Sequence, residues 1–385
     1  MTTLILLNLW LPEHHHDEFT SSDTNPSNHL NELYEKLQLK IRRKKWPCFN
    51  PERKSLTMNS FTLVHTFGEE ENTSSNSNDN TDLMSNSRQM TAVYDVKISY
   101  RHGLIFIVDY NQIQVFDLYS KQFKHFIRCQ GVTYLYVQED ETYSSLIVVR
   151  HLDLHSNEVV KYDLEMLLFQ SSSNSSTIEN EQTTDHVIDP LWKHDLRSTS
   201  TNVSIWKSRK LCFVAETVPF SAISVLDLND GRLIETIPTK LPNLSCLAFM
   251  DFNETHVNIG STNNHHSNYL FVGSYVDEDA IEIYSRTTTE PNGSMLEPWT
   301  LITTWQGIDY QISSLLFDWK SGNLIVAELA KPTIHFLNLD GEHVKEVTFA
   351  NDKNKSYGCG EMCVNEITGE FFICDYDNNL VFDFL

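Results

Sequence analysis

Residues 104–118 read LIFIVDYNQIQVFDL, and this stretch decides the architecture. Ile105, Phe106, Ile107 and Val108 form a short apolar, β-branched run, the mark of a buried strand. Asp109, Tyr110 and Asn111 then read as a tight turn, because Asp and Asn side chains bond nearby backbone N–H groups. The chain runs out again from Ile113 to Leu118 as a second strand. A hairpin this short is marginal in water and needs neighbours to bury its faces.

Five further copies supply the neighbours. LIVVR at 146–150 is followed by VVKYDL at 159–164, and LCFVAE at 211–216 by ISVLDL at 223–228. LFVGS at 270–274 precedes IEIYSR at 281–286, and LIVAE at 324–328 precedes IHFLNL at 334–339. FFICD at 371–375 leads into LVFDFL at 380–385. Each copy has a further strand before it, at 94–99, 133–138, 202–206, 244–249, 312–317 and 361–365. Five have a strand after it, at 123–128, 191–196, 232–237, 300–305 and 343–349.

Four short antiparallel strands repeating every ~40–60 residues describe a β-propeller. The predicted fold class is therefore all-β, a six-bladed β-propeller over 59–385. No fourth strand follows the last copy, while an orphan strand, FTLVHTF at 61–67, precedes the first. Pairing the two completes the last blade and protects edges that would otherwise stay open. Residues 1–58 are expected to form an N-terminal extension with one amphipathic helix at 28–45, where Leu30, Leu33, Leu37 and Ile41 share a face. The Asn- and Ser-rich segments 69–89, 170–185 and 253–267 read as loops between strands.

The formal net charge of -23 argues against binding to a nucleic-acid backbone. No apolar run is long enough to span a bilayer. The apolar opening at 4–11 lacks the basic flank and the small-residue cleavage site of a signal peptide. Seven dispersed cysteines read as reduced core thiols. Together these readings predict a cytoplasmic, monomeric ring. Cys359 and Cys363 have ligand-like spacing, but no second pair answers them, so no zinc site is expected. The run His14-His15-His16 reads as a solvated polar stretch.

One position is equivalent in all six copies: Asp109, Arg150, Glu216, Ser274, Glu328 and Asp375. Equivalent positions in a ring converge on one face, which makes these six the candidate binding residues. Four are carboxylates, which suit a hard cation such as Ca²⁺. Alternatively, each caps the turn of its own blade. Recurrence of one residue type as a repeat feature favours capping, so neither metal nor cofactor is expected. The chain has no nucleophile elbow, HExxH, P-loop or dinucleotide fingerprint. The reading is a non-catalytic scaffold that binds a protein or peptide. The alternative is a metal-dependent hydrolase or lactonase with a carboxylate-lined central channel.

The apolar strand that ends in an acidic residue, followed by an I-x-V-F-D strand, resembles the NHL-repeat propellers. Residues 105–109 with 113–117 carry the match, with looser copies at 211–216, 324–328 and 371–375 and the strands that follow them. The resemblance implies a recognition module for protein, peptide or RNA partners. This chain departs from the pattern by lacking, in most blades, the Gly-rich hairpin and the asparagine-histidine-arginine turn.

Overall fold

A computed structural model describes residues 62–68, 90–110, 112–140, 142–152, 157–173, 188–217, 221–251, 267–274, 280–287, 297–306, 311–349 and 357–385. The expected N-terminal helix, the loop at 69–89 and most of the other two Asn- and Ser-rich segments lie outside these residues. Among the described residues the strands form six four-stranded antiparallel sheets. β1 (Leu63–Phe67) is the first strand among the described residues, and blade one follows with β2 (Val93–Ser99), β3 (Leu104–Asp109), β4 (Gln112–Asp117) and β5 (Phe123–Arg128). Blade two holds β6 (Val132–Glu139), β7 (Ser144–His151), β8 (Asn157–Asp163) and β9 (Trp192–Leu196). Blade three holds β10 (Ser200–Trp206), β11 (Leu211–Glu216), β12 (Ala222–Asp227) and β13 (Leu233–Pro238). Blade four is β14 (Leu244–Met250), β15 (Ser267–Ser274), β16 (Ile281–Thr287) and β17 (Thr300–Trp305). Blade five is β18 (Ile312–Asp318), β19 (Asn323–Glu328), β20 (Thr333–Leu337) and β21 (His343–Thr348). Blade six contains β22 (Cys359–Val364), β23 (Phe371–Asp375) and β24 (Leu380–Phe384), and β1 is its fourth strand.

The first strand of each blade is the innermost. β2, β6, β10, β14, β18 and β22 touch one another in succession, and β22 returns to β2, so the ring is closed. The middle strands are buried on both faces because each blade is packed between two others, which is why their sequences are continuous apolar runs. The outer strands alternate: in FKHFIR, LIETIP and HVKEVT every second side chain faces water. Six apolar clusters fill the six gaps between blades.

The closing blade is built as the sequence predicts. β1 runs antiparallel to β24, with Leu63 opposite Phe384 and Phe67 opposite Val381. Thr62 and Leu385 exchange backbone hydrogen bonds of 3.1 and 3.0 Å beyond the strand end. Phe67 is fully buried and meets the Phe116 ring of blade one edge-on at 4.9 Å. A strand from before the first blade thus seals the gap between the last blade and the first.

The Asp that ends the third strand is a turn cap. Asp117 Oδ1 accepts from the amides of Tyr119 at 3.1 Å and Ser120 at 2.9 Å. Asp227 does the same for Asn229 at 2.8 Å, and Asn338 for Asp340 at 3.0 Å. In blade two Asp163 instead accepts from Met166 at 3.0 Å, as a helix N-cap does, and α1 (Leu164–Ser173) follows. The sequence reading did not anticipate this helix. LEMLLF supplies good helix formers where the other blades have Gly, Asn or Ser.

Candidate functional site

The candidate site is the face of the ring on which the second strands end. In every blade the last residues of that strand pair with the first residue of the innermost strand, as Asp109 pairs with Val93 and Glu216 with Ser200. The six predicted residues therefore do form one blade-equivalent ring. Their polar partners, however, lie within their own blades. Asp109 accepts from the amides of Thr91 and Ala92, both at 3.0 Å, and from Gln112 at 3.2 Å. Glu216 accepts from the Arg197 amide at 3.1 Å and the Ser198 hydroxyl at 3.0 Å. Asp375 accepts from the Gly358 amide at 3.2 Å and from Asn378 Nδ2 at 2.7 Å. Ser274 donates to the Pro242 carbonyl at 2.5 Å. In these four blades the side chain pins the segment that enters the innermost strand, and Asp375 also caps the turn after its own strand, accepting from the Asn378 amide at 3.3 Å. Arg150 pairs with Glu158, and Glu328 with Lys331 at 2.7 Å and His335 at 3.4 Å.

The electrostatics differ from blade to blade. Burial opposes ionisation of Asp109, but the donors from Thr91, Ala92 and Gln112 outweigh it and hold the carboxyl below its usual range. At Asp375 burial wins over the bonds from Asn378 and Gly358, and the carboxyl is raised. Equivalent positions do not make equivalent ligands.

Below this rim, the central channel is closed by a polar knot that sequence reasoning missed. Each innermost strand carries an irregularity after its first residue, and two residues on stand Asp95, Tyr134, Asn202, Cys246, Ser314 and Glu361. Such bulges re-aim the next side chain. Glu361 accepts from Asn202 Nδ2 and from the Ser314 hydroxyl at 3.0 Å. Lys97 pairs with Asp95 and approaches Glu361 at 3.9 Å. Asp95 also accepts from the amides of Val96 and Leu135, both at 2.8 Å.

Burial lifts the Asp95 carboxyl, against Lys97 and the two amides. Burial would depress Lys97, but Asp95 and then Glu361 outweigh it and raise the ammonium. For this pair the contacts decide: an ammonium in touch with two carboxyls stays charged. Glu361 is driven far from its ordinary value of 4.5. Burial, against Lys97 and with Asp95, pushes it up to about 8. The signal in the sequence was a polar residue early in an otherwise apolar strand, as in VYDVKIS and CGEMCV.

Exposed apolar side chains crown the same face over three adjacent blades. Tyr376 in blade six, Tyr110 in blade one and Leu152 in blade two stand in or beside the equivalent hairpins, 38%, 41% and 44% exposed. Tyr110 has φ 25°, on the left-handed side that side-chain-bearing residues rarely adopt. Its ring lies 6.1 Å from that of Tyr94. Gly358 lies beneath the Tyr376 ring, and a Cβ there would sit 2.5 Å from it. Only glycine lets the ring lie down on this backbone.

Among the described residues, one group of three could hold a metal ion: His335, His343 and Glu346, on the outer strands of blade five. None of the four rim carboxylates belongs to it. The six described cysteines are free thiols, and Cys359 and Cys363 belong to no such group. No helix among the described residues is long and apolar enough to cross a membrane.

The fold and its face thus define a closed six-bladed β-propeller with a plugged channel. No family model matches the chain, and no curated protein matches it. Among solved structures it is similar to the β-propeller domain of Cps50 (Swd1) from Myceliophteria thermophila, at 9% identity over 84% of this chain and 99% of that chain, with a TM-score of 0.49. The assignment of six blades rests on the strand pairing in this chain.

Proposed function

We propose that this propeller is a non-catalytic scaffold that binds a protein or peptide partner over the face bearing Tyr376, Tyr110 and Leu152. The observation that carries the reading is this run of exposed apolar side chains on equivalent hairpins of three neighbouring blades. Tyrosine is enriched at interface cores, where its ring is buried and its hydroxyl finds a partner. A tyrosine held at positive φ is a strained choice, and such strain concentrates at binding sites.

The rim residues Asp109, Arg150, Glu216, Ser274, Glu328 and Asp375 act in this reading as the support of that face. They anchor the segments from which its loops rise. The rim carboxylates do not favour the hydrolase alternative, since each is engaged within its own blade. The kinship to NHL-type recognition propellers belongs to the same proposal. So does the choice of protein over nucleic acid, given the net charge of -23.

The test is capture of partners from native lysate by the full chain and by the double variant Tyr110→Ser/Tyr376→Ser. Both residues are partly exposed, so the variant keeps its fold, which a thermal melt checks. Proteins enriched by the wild-type chain should be lost with the variant. Identical capture by both chains would place the binding surface elsewhere.

A further inference from the structure

We propose that blade five carries a site for a borderline divalent cation of the zinc type, with His335, His343 and Glu346 as ligands and Glu328 as the residue that positions His335. His335 is buried on β20, while His343 and Glu346 are exposed on β21, the outer strand. The register puts Glu346 directly opposite His335. A bulge between Phe336 and Leu337 then sets His343 against Leu337. Side chains alternate along a strand, so without that extra residue His343 would face the other side of the sheet. The bulge turns it onto the face of His335 and Glu346.

The three ligand atoms lie within 4.8 Å of one another. His335 Nδ1 is 3.4 Å from His343 Nε2 and 3.9 Å from Glu346 Oε2. Two ligands about 2.0–2.1 Å from a tetrahedral zinc ion are themselves about 3.3–3.4 Å apart. The two rings are inclined at 62° and do not stack, so their nitrogens rather than their faces approach. The other nitrogen of His335, Nε2, meets Glu328 Oε2 at 3.4 Å. A carboxylate there accepts a hydrogen bond from Nε2–H and so keeps the proton on Nε2, leaving Nδ1 as the basic nitrogen, the arrangement that orients and strengthens a metal-bound imidazole. Lys331 holds the second oxygen of Glu328 at 2.7 Å and so fixes that carboxylate.

Two imidazoles and one carboxylate select zinc, nickel or copper over calcium or magnesium. Three protein ligands leave a fourth position for water or a partner's side chain. Because His343 and Glu346 are exposed, that position faces solvent and the ion has an entry path. This inference is independent of the tyrosine-bearing face, and its failure would leave the scaffold reading untouched.

The experiment is a calorimetric zinc titration of the metal-stripped full chain. The background carries alanine at His14, His15, His16, His265 and His266, the other histidine runs of the sequence. One zinc ion per chain is expected in that background. His343→Ala should weaken it at least tenfold, and Glu346→Gln should also weaken it. Glu328→Gln should weaken it about 10- to 100-fold, as loss of an orienting partner does. Cobalt(II) supplies a readout that a merely structural role would not move. Its visible absorption should survive in Glu328→Gln at saturating metal and disappear in His343→Ala. His343 and Glu346 are exposed, so metal-free melts of their variants should match the background. No zinc uptake in the background chain, or an affinity unchanged by His343→Ala, would overturn the site.

Discussion

Asn202 Nδ2 donates a hydrogen bond to Glu361 Oε1. The two residues stand on the innermost strands of blades three and six, opposite each other in the ring. This bond spans the centre of the propeller, and Ser314 and Lys97 join the same carboxyl from blades five and one. The channel is therefore a shared polar core.

Glu361 should make stability depend on pH. Its carboxyl is pushed up to about 8 from an ordinary 4.5, so between these values the folded chain holds a proton that the unfolded chain has released. The folded state binds more protons there, and stability falls as pH rises through the window. Glu361→Gln keeps a hydrogen-bonding amide and does not titrate. The melting temperature of the wild type minus that of Glu361→Gln should fall from pH 4.5 to pH 8 and then level off. A flat difference across that range would remove Glu361 as the titrating group.

Ring closure should rest on Phe67. Its ring is buried against Phe116 and in the cluster that joins blade six to blade one. Phe67→Ala should cost about 3–5 kcal/mol in urea unfolding, the range for emptying an aromatic core site. Leu63, in the same strand but 51% exposed, should cost no more than about 0.5 kcal/mol as Leu63→Ala. Equal effects would mean that β1 does not seal the ring.

The rim carboxylates should behave as independent supports. Asp109→Ala and Glu216→Ala should each lose about 1.5–3 kcal/mol, the usual contribution of hydrogen bonds to a charged acceptor. They lie in different blades and share no hydrogen-bond partner, so the double variant should lose their sum to within about 0.5 kcal/mol. Neither Ca²⁺ nor a chelator should shift these melts. Strong non-additivity with a chelator-sensitive melt would instead indicate a shared ion and revive the hydrolase.

A second closing contact should be pH-dependent. Lys121, from the last turn of blade one, reaches Asp383 of β24 at 3.3 Å and Glu370 at 3.0 Å. Asp383 is fully buried, and burial, opposed by Lys121, pushes it up to about 6. Lys121→Met leaves that carboxylate without its cation, a loss of about 3 kcal/mol at pH 7. Without Lys121 the orphaned carboxyl is pushed up further and takes up a proton as the pH falls, so the cost should be smaller at pH 5 than at pH 7. A cost that stays constant or grows toward pH 5 would show that Asp383 is not the group left exposed by the substitution.

Residues 104–118 and their copies were enough to determine six blades, because a sheet packed on both faces requires unbroken apolar strands such as LIFIV and LIVAE. The partner of 61–67 was legible for a related reason: a blade lacking a strand and a strand lacking a blade complete each other. The six rim residues were legible as a set because the repeat places them. Their bonding was not, since Thr91, Ser198 and Gly358 lie 17 or 18 residues before the carboxylates they hold, and only strand pairing brings them into contact. The channel knot lies further from local pattern. Asn202 and Glu361 are 159 residues apart, and closing the ring decides that they meet. His335, His343 and Glu346 are close in sequence, yet their convergence depends on one bulge in β20–β21, which alternation alone would have read the other way. Local hydrophobic pattern determined which segments are buried. Register and closure, which depend on partners far along the chain, decided which polar atoms face one another.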